Sequence, residues 1–566
     1  MEGYKCKVGK GLLKICMGDN YTDATVVFRE YVQNAIDAIY KAESLGIISQ
    51  TDNYVSININ NGNVQIMDRG IGVKSDEIGP TLVDLGNSTK TNSDIGQYGI
   101  GRLSGANWCD KIVFETSYFG ESIRSILTFD SKLARKLVQE ADSQDCGDVM
   151  DEVTSCIFEN EAEEQHYFRV TLENVKEELR DEETIKSYLS FIAPVPYDEN
   201  FYDDCQKKAF LKYPEFKELS MKEKTCKVHL NDKPVVKPYT SSIYIGNEPL
   251  KITPPTFFKI TDEDFGDLAW GWYSINEEAR QMGEGVNYKG LRLRAKNMAV
   301  GSQDYLIGCF KNATDANYVI GEVFVMHEGI QPTGSRDGIK SSKEYTELEI
   351  RLKKKCREIN SVYNAMSKLG SAALNPLIKA QAAIAENNMT IKTEEISEES
   401  KAELKNENKK NKETVEKAKS EIVGKIKVVD EAENADLIKE LIIRHWAKEA
   451  QKTASSYNAK AKPGQKIEAV NIDSVISNAT KIEKIEKNEK EDSADSTDSI
   501  ISITADTIGK NKTPSAPKDT DVYRKLGKSE YNLMKKVYQV LNSENRLDDK
   551  TKDKIKAKLV KKILAE

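Results

Sequence analysis

Three short polar and glycine-rich motifs near the start of the chain carry the side chains best suited to chemistry. In chain order they are a set with helical spacing (Glu30, Asn34 and Asp37), a turn set (Asp68, Gly70 and Gly72) and a loop set (Gly96, Gly99 and Gly101). Carboxylate and amide oxygens beside glycine-rich backbone favour a phosphate-bearing ligand, because the exposed N–H groups of such loops bind phosphate oxygens.

Residues 23–44 predict the helix that would carry the first motif. Asp23 is a suitable N-cap, and apolar side chains recur on one broad side at about 100° per residue. Glu30, Asn34 and Asp37 fall together on the other side. The same pattern fits an ordinary amphipathic helix whose polar face meets water, so both interpretations stay open for this motif alone.

Residues 54–68 predict two strands joined by an Asn61-Gly62 turn, which is a strong hairpin signal. Asp68 then lies at the end of the second strand. Gly70 and Gly72 would let the backbone come close to a ligand, an arrangement that suits an aspartate reading the edge of a buried base. Taken alone, this motif also fits an ordinary turn.

Residues 85–105 predict a small polar loop followed by a helix. Thr89 and Lys90 lie in the loop, and the glycines from Gly96 to Gly101 lead into the helix. Glycines followed by a helix present backbone N–H groups and a positive helix end to phosphate oxygens. A flexible loop without a ligand is the alternative for this segment by itself.

The three motifs, taken in this order and spacing, resemble the GHKL ATPases, a family that includes MutL, MORC proteins, gyrase B subunits and histidine kinases. The segments 29–38 and 95–101 are most similar to the ninety-kilodalton heat-shock chaperones. This resemblance implies an N-terminal Bergerat-type α/β sandwich over residues 1–195, with ATP and Mg²⁺ as cofactors.

The resemblance also implies a role for each residue. Glu30 would be the general base, Asn34 the magnesium ligand, and Asp68 the acceptor for the adenine amino group. The remaining expected nucleotide-binding residues are Asp37, Gly70, Gly72, Thr89, Lys90, Gly96, Gly99 and Gly101. These residue types make chemical sense, since phosphoryl transfer chiefly needs an aligned nucleophile and neutralised phosphate charge.

The chain departs from the family at Phe168, where the chaperones usually have a threonine near the base. Either the assumed strand register is wrong or the adenine pocket differs. The acidic stretch at 139–165 is predicted to be a surface insertion without a catalytic role.

Residues 196–365 alternate strand-like runs with loops and predict an α+β middle domain. Trp270 and Trp272 share one strand face and are expected to pack in the core. Arg336, after Ser335, resembles the middle-domain arginine of the chaperones that reaches the γ-phosphate. The alternative is a surface arginine paired with Asp337.

The C-terminal third is expected to be helical and partly disordered. It divides into a helical region with a charged linker at 366–455, a flexible linker at 456–520 and a helical module at 521–566. The apolar faces of its helices, including the one predicted at 431–450, predict docking on a client or partner subunit. Lysines make the last helix basic, so nucleic acid is a further candidate ligand, but a solvated face is the favoured interpretation.

Composition limits the function classes. The chain has 566 residues, which predicts several domains, and a net charge of −8, which argues against a surface that coats nucleic acid. Its nine cysteines form no Cys-x-x-Cys pair, as expected for reduced thiols. Without a signal peptide or an apolar run of about 18 residues, a cytoplasmic protein without membrane contact is expected.

The leading functional prediction is a slow ATPase that works as a conformational machine, with ATP driving lid closure and domain association. The family resemblance implies a homodimer. One alternative is a MutL- or MORC-like ATP-dependent clamp on nucleic acid. Another is a nucleotide-sensing subunit of a multiprotein complex, for example in defence.

Overall fold

A computed structural model describes most of the first 477 residues of the chain. It covers 8–477 except 20–22, 50–52, 86–100, 141–143, 246–247, 277, 279, 284, 370–372, 394, 428–434, 460–466 and 470. Internal contacts divide the chain into Met1–Glu483 and Lys484–Glu566, and the second unit lies outside the described residues. The predicted 521–566 module and most of the 456–520 linker therefore also lie outside them.

A mixed eight-stranded sheet organises the N-terminal part. Its strands are β1 (Tyr54–Asn60), β2 (Asn63–Asp68), β3 (Lys111–Ser117), β4 (Ile123–Asp130), β5 (Thr154–Asn160), β6 (Tyr167–Glu173), β7 (Lys227–Leu230) and β8 (Lys233–Val235). Their spatial order is β5-β4-β3-β6-β2-β1-β7-β8. Strands β1 and β7 pair parallel, and the other neighbours pair antiparallel.

The predicted Asn61-Gly62 hairpin is confirmed. Strands β1 and β2 pair from Asn60 opposite Asn63 to Val55 opposite Asp68. Both turn residues have positive φ, 50° and 78°, as the tight turn of a two-residue hairpin requires. The register carries Asp68 to the end of β2, where the sequence predicted it.

Helices cover one face of this sheet. They are α1 (Gly11–Lys14), α2 (Val26–Ser44), α3 (Ser131–Gln139), α4 (Cys146–Val153) and α5 (Glu182–Ile192), with 3₁₀ turns at Ser75–Glu77, Gly101–Asn107 and Glu177–Leu179 and π-helical turns at Ile15–Asp19 and Gly79–Val83. The predicted end of α2 is confirmed, but its start is not. The carboxylate of Asp23 accepts from the N–H and hydroxyl of Thr25 instead of capping the helix.

The prediction of a surface insertion at 139–165 is wrong for α4. Cys146, Val149, Met150 and Val153 are buried in the first hydrophobic core. Strand β5, which follows directly, forms an edge of the sheet and is largely exposed. The acidic residues within α4, Asp148, Asp151 and Glu152, are exposed and lie on the side away from this core.

A second sheet of five strands lies further along the chain. Its strands are β11 (Thr256–Asp262), β12 (Gly266–Ile275), β13 (Gly290–Ala295), β14 (Met298–Val300) and β15 (Val319–Val325), in the order β11-β12-β15-β13-β14, and a separate ribbon pairs β9 (Ser242–Ile245) with β10 (Glu248–Lys251). Trp270 and Trp272 on β12 are buried, which confirms their predicted core packing.

Helices dominate the remainder of the described chain. Near the second sheet lie α6 (Glu199–Phe201), α7 (Lys207–Lys212), α8 (Pro214–Lys222), 3₁₀ turns at Ile307–Cys309 and Ala313–Tyr318, a π-helical turn at Tyr202–Gln206, and then α9 (Lys343–Leu369), α10 (Asn375–Thr393), α11 (Glu398–Lys427) and α12 (Ala435–Asn458). The chain is therefore a mixed α+β protein with a helical region after the second sheet.

The charged stretch expected as a linker within 366–455 is helical. It belongs to α11, and Asn408 of α11 bonds with Asn387 and Asn388 of α10. Ile442 and Trp446 of α12 are buried in the second core of this same chain, so these two side chains are not available to an external partner. The other domain boundaries stay predictions, and β7 and β8 join the first sheet from beyond residue 195.

Two general properties agree with the composition. None of the helices in the described part of the chain is both long and apolar enough to cross a membrane. The cysteines within the described ranges, Cys16 to Cys356, are all free thiols.

A buried charge cluster joins the two sheets. The carboxylate of Glu322 on β15 is fully buried and accepts from Lys237 at 2.9 Å, from Arg294 and from Tyr197. Burial alone would raise the pKa of Glu322, but Arg294 and Lys237 outweigh burial and hold it well below its usual range. Arg294 also donates to the carbonyl of Ala193 at 3.3 Å, just after α5.

Replacing Glu322 with alanine should destabilise the protein by about 3–5 kcal/mol, because two buried cations lose their counter-charge. Urea unfolding followed by tryptophan fluorescence measures this, since Trp272 packs beside the cluster through Tyr197. The exposed neighbour Glu328 is the matched control, and Glu328→Ala should change the free energy of unfolding by less than about 0.5 kcal/mol. Equal small effects of both substitutions would contradict a structural role for the cluster.

Candidate functional site

Helix α2 carries Glu30 next to an arginine that orients it. The carboxylate oxygen Oε1 of Glu30 accepts from Nη2 of Arg29 at 3.0 Å and from its Nε at 3.3 Å. The Glu30 side chain is only 13% exposed, so its position is largely fixed by its neighbours. A partly desolvated carboxylate held in one orientation has the properties of a general base.

Gly101 lies directly against this carboxylate. A Cβ added at residue 101 would overlap Oε2 of Glu30, so no side chain fits between the start of the 3₁₀ helix and Glu30. The structure therefore places Gly101 of the third motif against Glu30 of the first. Thr89, Lys90, Gly96 and Gly99 lie outside the described residues, and their positions stay predictions.

Two residues that sequence reasoning missed fix the chain on either side of the 86–100 segment. The hydroxyl of Tyr31 on α2 donates to the carbonyl of Arg102 at 2.8 Å. The guanidinium of Arg102 donates to the carbonyls of Leu82, at 3.1 Å, and Asp84. The base of the glycine-rich loop is thus closed onto α2. The position of Arg102 directly after Gly101 was the available signal.

Asp68 occupies a core position of β2. Buried side chains alternate along this strand at Val64, Ile66 and Asp68, so the carboxylate points toward the helix-covered face. Asp68 is 3% exposed and accepts from the N–H of Gly70 at 2.8 Å. Burial raises the pKa of Asp68 to about 8, although the Gly70 hydrogen bond opposes the shift. A buried carboxylate with capacity for further donors fits a base-reading role.

The backbone after Asp68 passes between α2 and β3. Ile71 donates to the carbonyl of Ala38 on α2 at 3.4 Å, which brings the second motif against the same helix as the first. Gly72 has φ of 74°, and a Cβ there would overlap the carbonyl oxygen of Ser117. Glycine is required at this position for both reasons.

The structure places Phe168, the position of the predicted departure from the family, in the middle of the sheet next to Asp68. Phe168 on β6 lies directly opposite Asp68 on β2 and opposite Thr116 on β3. The hydroxyl of Thr116 accepts from Val73 at 2.9 Å and donates to the carbonyl of Tyr167 at 2.9 Å. An aromatic side chain and the Thr116 hydroxyl therefore both lie close to Asp68, and whether Phe168 replaces the family's threonine stays a prediction.

Asn34 and Asp37 follow Glu30 on α2 by one and two turns. Asp37 is buried and Asn34 is half-buried. Among the described residues, no group of three or more His, Cys, Asp or Glu side chains could hold a metal ion. A magnesium ion at Asn34 would therefore depend on oxygen ligands from phosphates and water, which is a common mode of Mg²⁺ binding.

Arg336 is brought to the same helix from the second sheet. It is 4% exposed, so the alternative of a surface arginine is wrong, and Asp337 accepts instead from the hydroxyl of Thr333. Burial lowers the pKa of Arg336 to about 10; Arg29 lowers it further, whereas Asp37 and Glu30 raise it. The Arg336 charge therefore interacts with charged side chains of α2.

A cavity of about 340 Å³ opens elsewhere in the molecule, at the charge cluster. Tyr197, Glu223, Lys237 and Asn297 are among its lining residues, and none of the candidate nucleotide-site residues contributes to it. The candidate site is therefore defined by convergence of the motifs on α2 and not by this cavity.

The sequence was compared with known proteins. No protein-family model matches the chain. The chaperone protein HtpG of Buchnera aphidicola is 28% identical over 226 residues, 36% of this chain and 34% of the relative. HtpG of Rickettsia canadensis is 26% identical over 227 residues, with the same coverage of both chains. HtpG of Clostridium perfringens is 35% identical over 130 residues, 20% of this chain and 21% of the relative.

The chain is a distant homologue of the HtpG chaperones. The resemblance that the three motifs indicated is confirmed at this level. The matched stretch spans only about a third of the length of the first two relatives, so their activity does not transfer to this chain without further argument.

Replacing Asp68 with asparagine should change the pH dependence of stability in the nucleotide-free protein. Between about pH 4 and pH 8 the unfolded carboxylate is ionised while the folded one keeps its proton, so wild-type stability falls as pH rises through this window. The asparagine side chain of the variant cannot ionise. The variant should therefore gain stability relative to wild type toward pH 8, by up to about 1.4 kcal/mol per pH unit.

Urea unfolding of both proteins at pH 4, 6 and 8 measures the difference. The exposed Asp76 provides the matched control, since Asp76→Asn should leave the pH profile parallel to wild type. A parallel profile for Asp68→Asn as well would show that the buried carboxylate does not hold its proton.

Proposed function

We propose that this chain binds and slowly hydrolyses ATP and uses the cycle to change conformation, as a relative of the HtpG chaperones. In this proposal its N-terminal part is a Bergerat-type sandwich and residues 196–365 are a transducer-like middle domain. The observation that carries the proposal is the burial of Arg336, whose charge interacts with those of Glu30 and Asp37 on α2. A second-domain arginine next to a candidate base is what phosphoryl transfer needs to neutralise developing charge.

Nucleotide binding would use the second and third motifs. Asp68 is a buried acceptor at the end of β2 and would accept from the adenine amino group. Gly70 and Gly72 have no side chains, which lets the backbone after Asp68 pack closely against its neighbours. Gly101 is the first residue of a 3₁₀ helix whose first N–H groups would face phosphate oxygens. The residues present therefore fit a purine nucleoside triphosphate.

Hydrolysis would use the first motif. Glu30 would take a proton from the attacking water, and its contact with Arg29 sets the direction of the carboxylate. Asn34 would contribute an oxygen to Mg²⁺, which when bound neutralises phosphate charge. Asp37 would order the polar face of α2, and Thr89, Lys90, Gly96 and Gly99 would belong to a lid over the nucleotide.

Conformational coupling would pass through Arg336. Because this side chain lies in the loop between β15 and α9 and is held by the β13–β14 hairpin, its contact with the γ-phosphate would require the two sheets to hold one relative position. A homodimer, a cytoplasmic location and a protein client are proposed by analogy with the relatives. The clamp alternative depends on the basic C-terminal helix, which lies outside the described residues, so no observation favours it.

Replacing Glu30 with glutamine should lower ATP turnover by about 10²–10⁴ while ATP affinity stays within a few-fold of wild type, because only the proton acceptor is lost. Phosphate release gives turnover and calorimetry gives affinity. Glu43 lies on the same helix and bonds with Asn53, so Glu43→Gln is the matched control. Wild-type turnover in Glu30→Gln would remove the proposed base.

Replacing Arg336 with alanine should lower turnover by about 10³ at saturating ATP, since the charge that would face the γ-phosphate is lost. Arg351, which pairs with Asp262 and Glu347 away from α2, provides the control variant Arg351→Ala. Similar turnover in both variants would restrict Arg336 to a packing role.

A further inference from the structure

The β13–β14 hairpin reaches from the second sheet into the first core. Its two-residue turn, Lys296-Asn297, has φ of 54° and 59°, which is the tight geometry that keeps such hairpins rigid. Met298 and Ala299 of β14 are buried among the residues of the first core. The tip of the hairpin is therefore packed against the N-terminal part of the chain.

Arg294 attaches the base of this tip to the end of α5. Its Nη2 donates to the carbonyl of Phe191 at 3.1 Å, and its Nη1 donates to the carbonyls of Ala193 at 3.3 Å and Asn297 at 2.9 Å. Its Nε pairs with Glu322. One guanidinium thus satisfies acceptors on α5, on the hairpin turn and on the second sheet.

Arg336 rests on the same hairpin. Its Nη2 donates to the carbonyl of Ala295 at 2.9 Å and to that of Met298 at 3.3 Å, the pair that closes the turn. Its own carbonyl accepts from Gly301 at 2.8 Å, just beyond β14. The position of the Arg336 guanidinium relative to Glu30 is therefore set by the position of the hairpin.

We propose that Arg294 is a positioning residue for ATP hydrolysis, acting through the β13–β14 hairpin to place Arg336 beside Glu30. This inference rests on the proposed function. Arg294 does not belong to any of the three motifs, and its fully buried guanidinium has no route to the nucleotide itself. Its effect on turnover must therefore pass through Arg336.

The planar fork of the Arg294 guanidinium is what allows one side chain to bond on both sides of the joint. Lysine at 294 would keep the charge opposite Glu322, but a single ammonium group cannot reach acceptors on both sides of the joint as a guanidinium does. Loss of the α5 contacts would let the hairpin shift, and a displacement of about 1 Å in a reacting group can cost about 10²-fold in rate.

The test compares Arg294→Lys with wild type for turnover and for ATP affinity. We expect turnover at saturating ATP to fall about 10- to 100-fold with ATP affinity within about 3-fold of wild type. In an Arg336→Ala background the same substitution should have no further effect, because the residue through which it acts is absent. A merely structural role would lower turnover in both backgrounds.

A second variant keeps the test usable if Arg294→Lys does not fold. Asn297 links the turn to Lys237 at 3.0 Å and to the carbonyl of Lys224 at 2.9 Å, and glycine tolerates its positive φ. Asn297→Gly should therefore lower turnover in the same direction, again only when Arg336 is present. Arg351→Lys, which alters a partly exposed guanidinium that also pairs with carboxylates but lies outside the joint, should leave turnover unchanged.

The outcomes separate this inference from the proposed function. If the wild-type protein does not hydrolyse ATP, the proposed function is wrong, and a positioning role of Arg294 in hydrolysis is wrong with it. If wild type turns over and Arg336→Ala is slow, but Arg294→Lys and Asn297→Gly match wild type, the positioning role is overturned. Equal losses with and without Arg336 would overturn it as well.

Discussion

The buried carboxylate of Glu322 is the constraint on which the arrangement of the two sheets depends. A carboxylate without exposed surface is costly to bury unless cations and other donors compensate for lost water, and Lys237 and Arg294 supply that charge. Arg294 has donors left over, and they are satisfied by main-chain carbonyls at the end of α5. Neutralising Glu322 therefore also fixes the second sheet against the first.

Helix α2 connects this architecture to the candidate chemistry. Its apolar side is part of the first core, as Phe28, Val32 and Ile36 show. Its polar side carries Glu30, which lies against Gly101 and interacts with the charge of Arg336. Because one rigid helix contributes to both, a shift in core packing would alter the geometry around Glu30 directly.

Local signals predicted several elements accurately, and their failures have physical causes. The Asn61-Gly62 hairpin was predictable because its turn chemistry is complete within two residues. Helix α4 was missed because acidic side chains on its outer side outweighed the buried set that begins at Cys146 and ends at Val153. Both interpretations of Arg336 stay open at the level of sequence because its motif is short, and its burial depends on carbonyls of the distant β13–β14 hairpin.

The sequence by itself determined the residue types of the candidate site, their order along the chain and the turns that hold Asp68 and Gly72. Only the tertiary structure decided which distant segments meet: β7 joins the first sheet, Phe168 lies opposite Asp68, and Arg336 rests on the hairpin beside α2. These contacts depend on packing and charge compensation summed over residues that lie far apart in the chain. A local sequence pattern does not specify these contacts, because each buried polar group is paired only when the distant segment that carries its partner is in place.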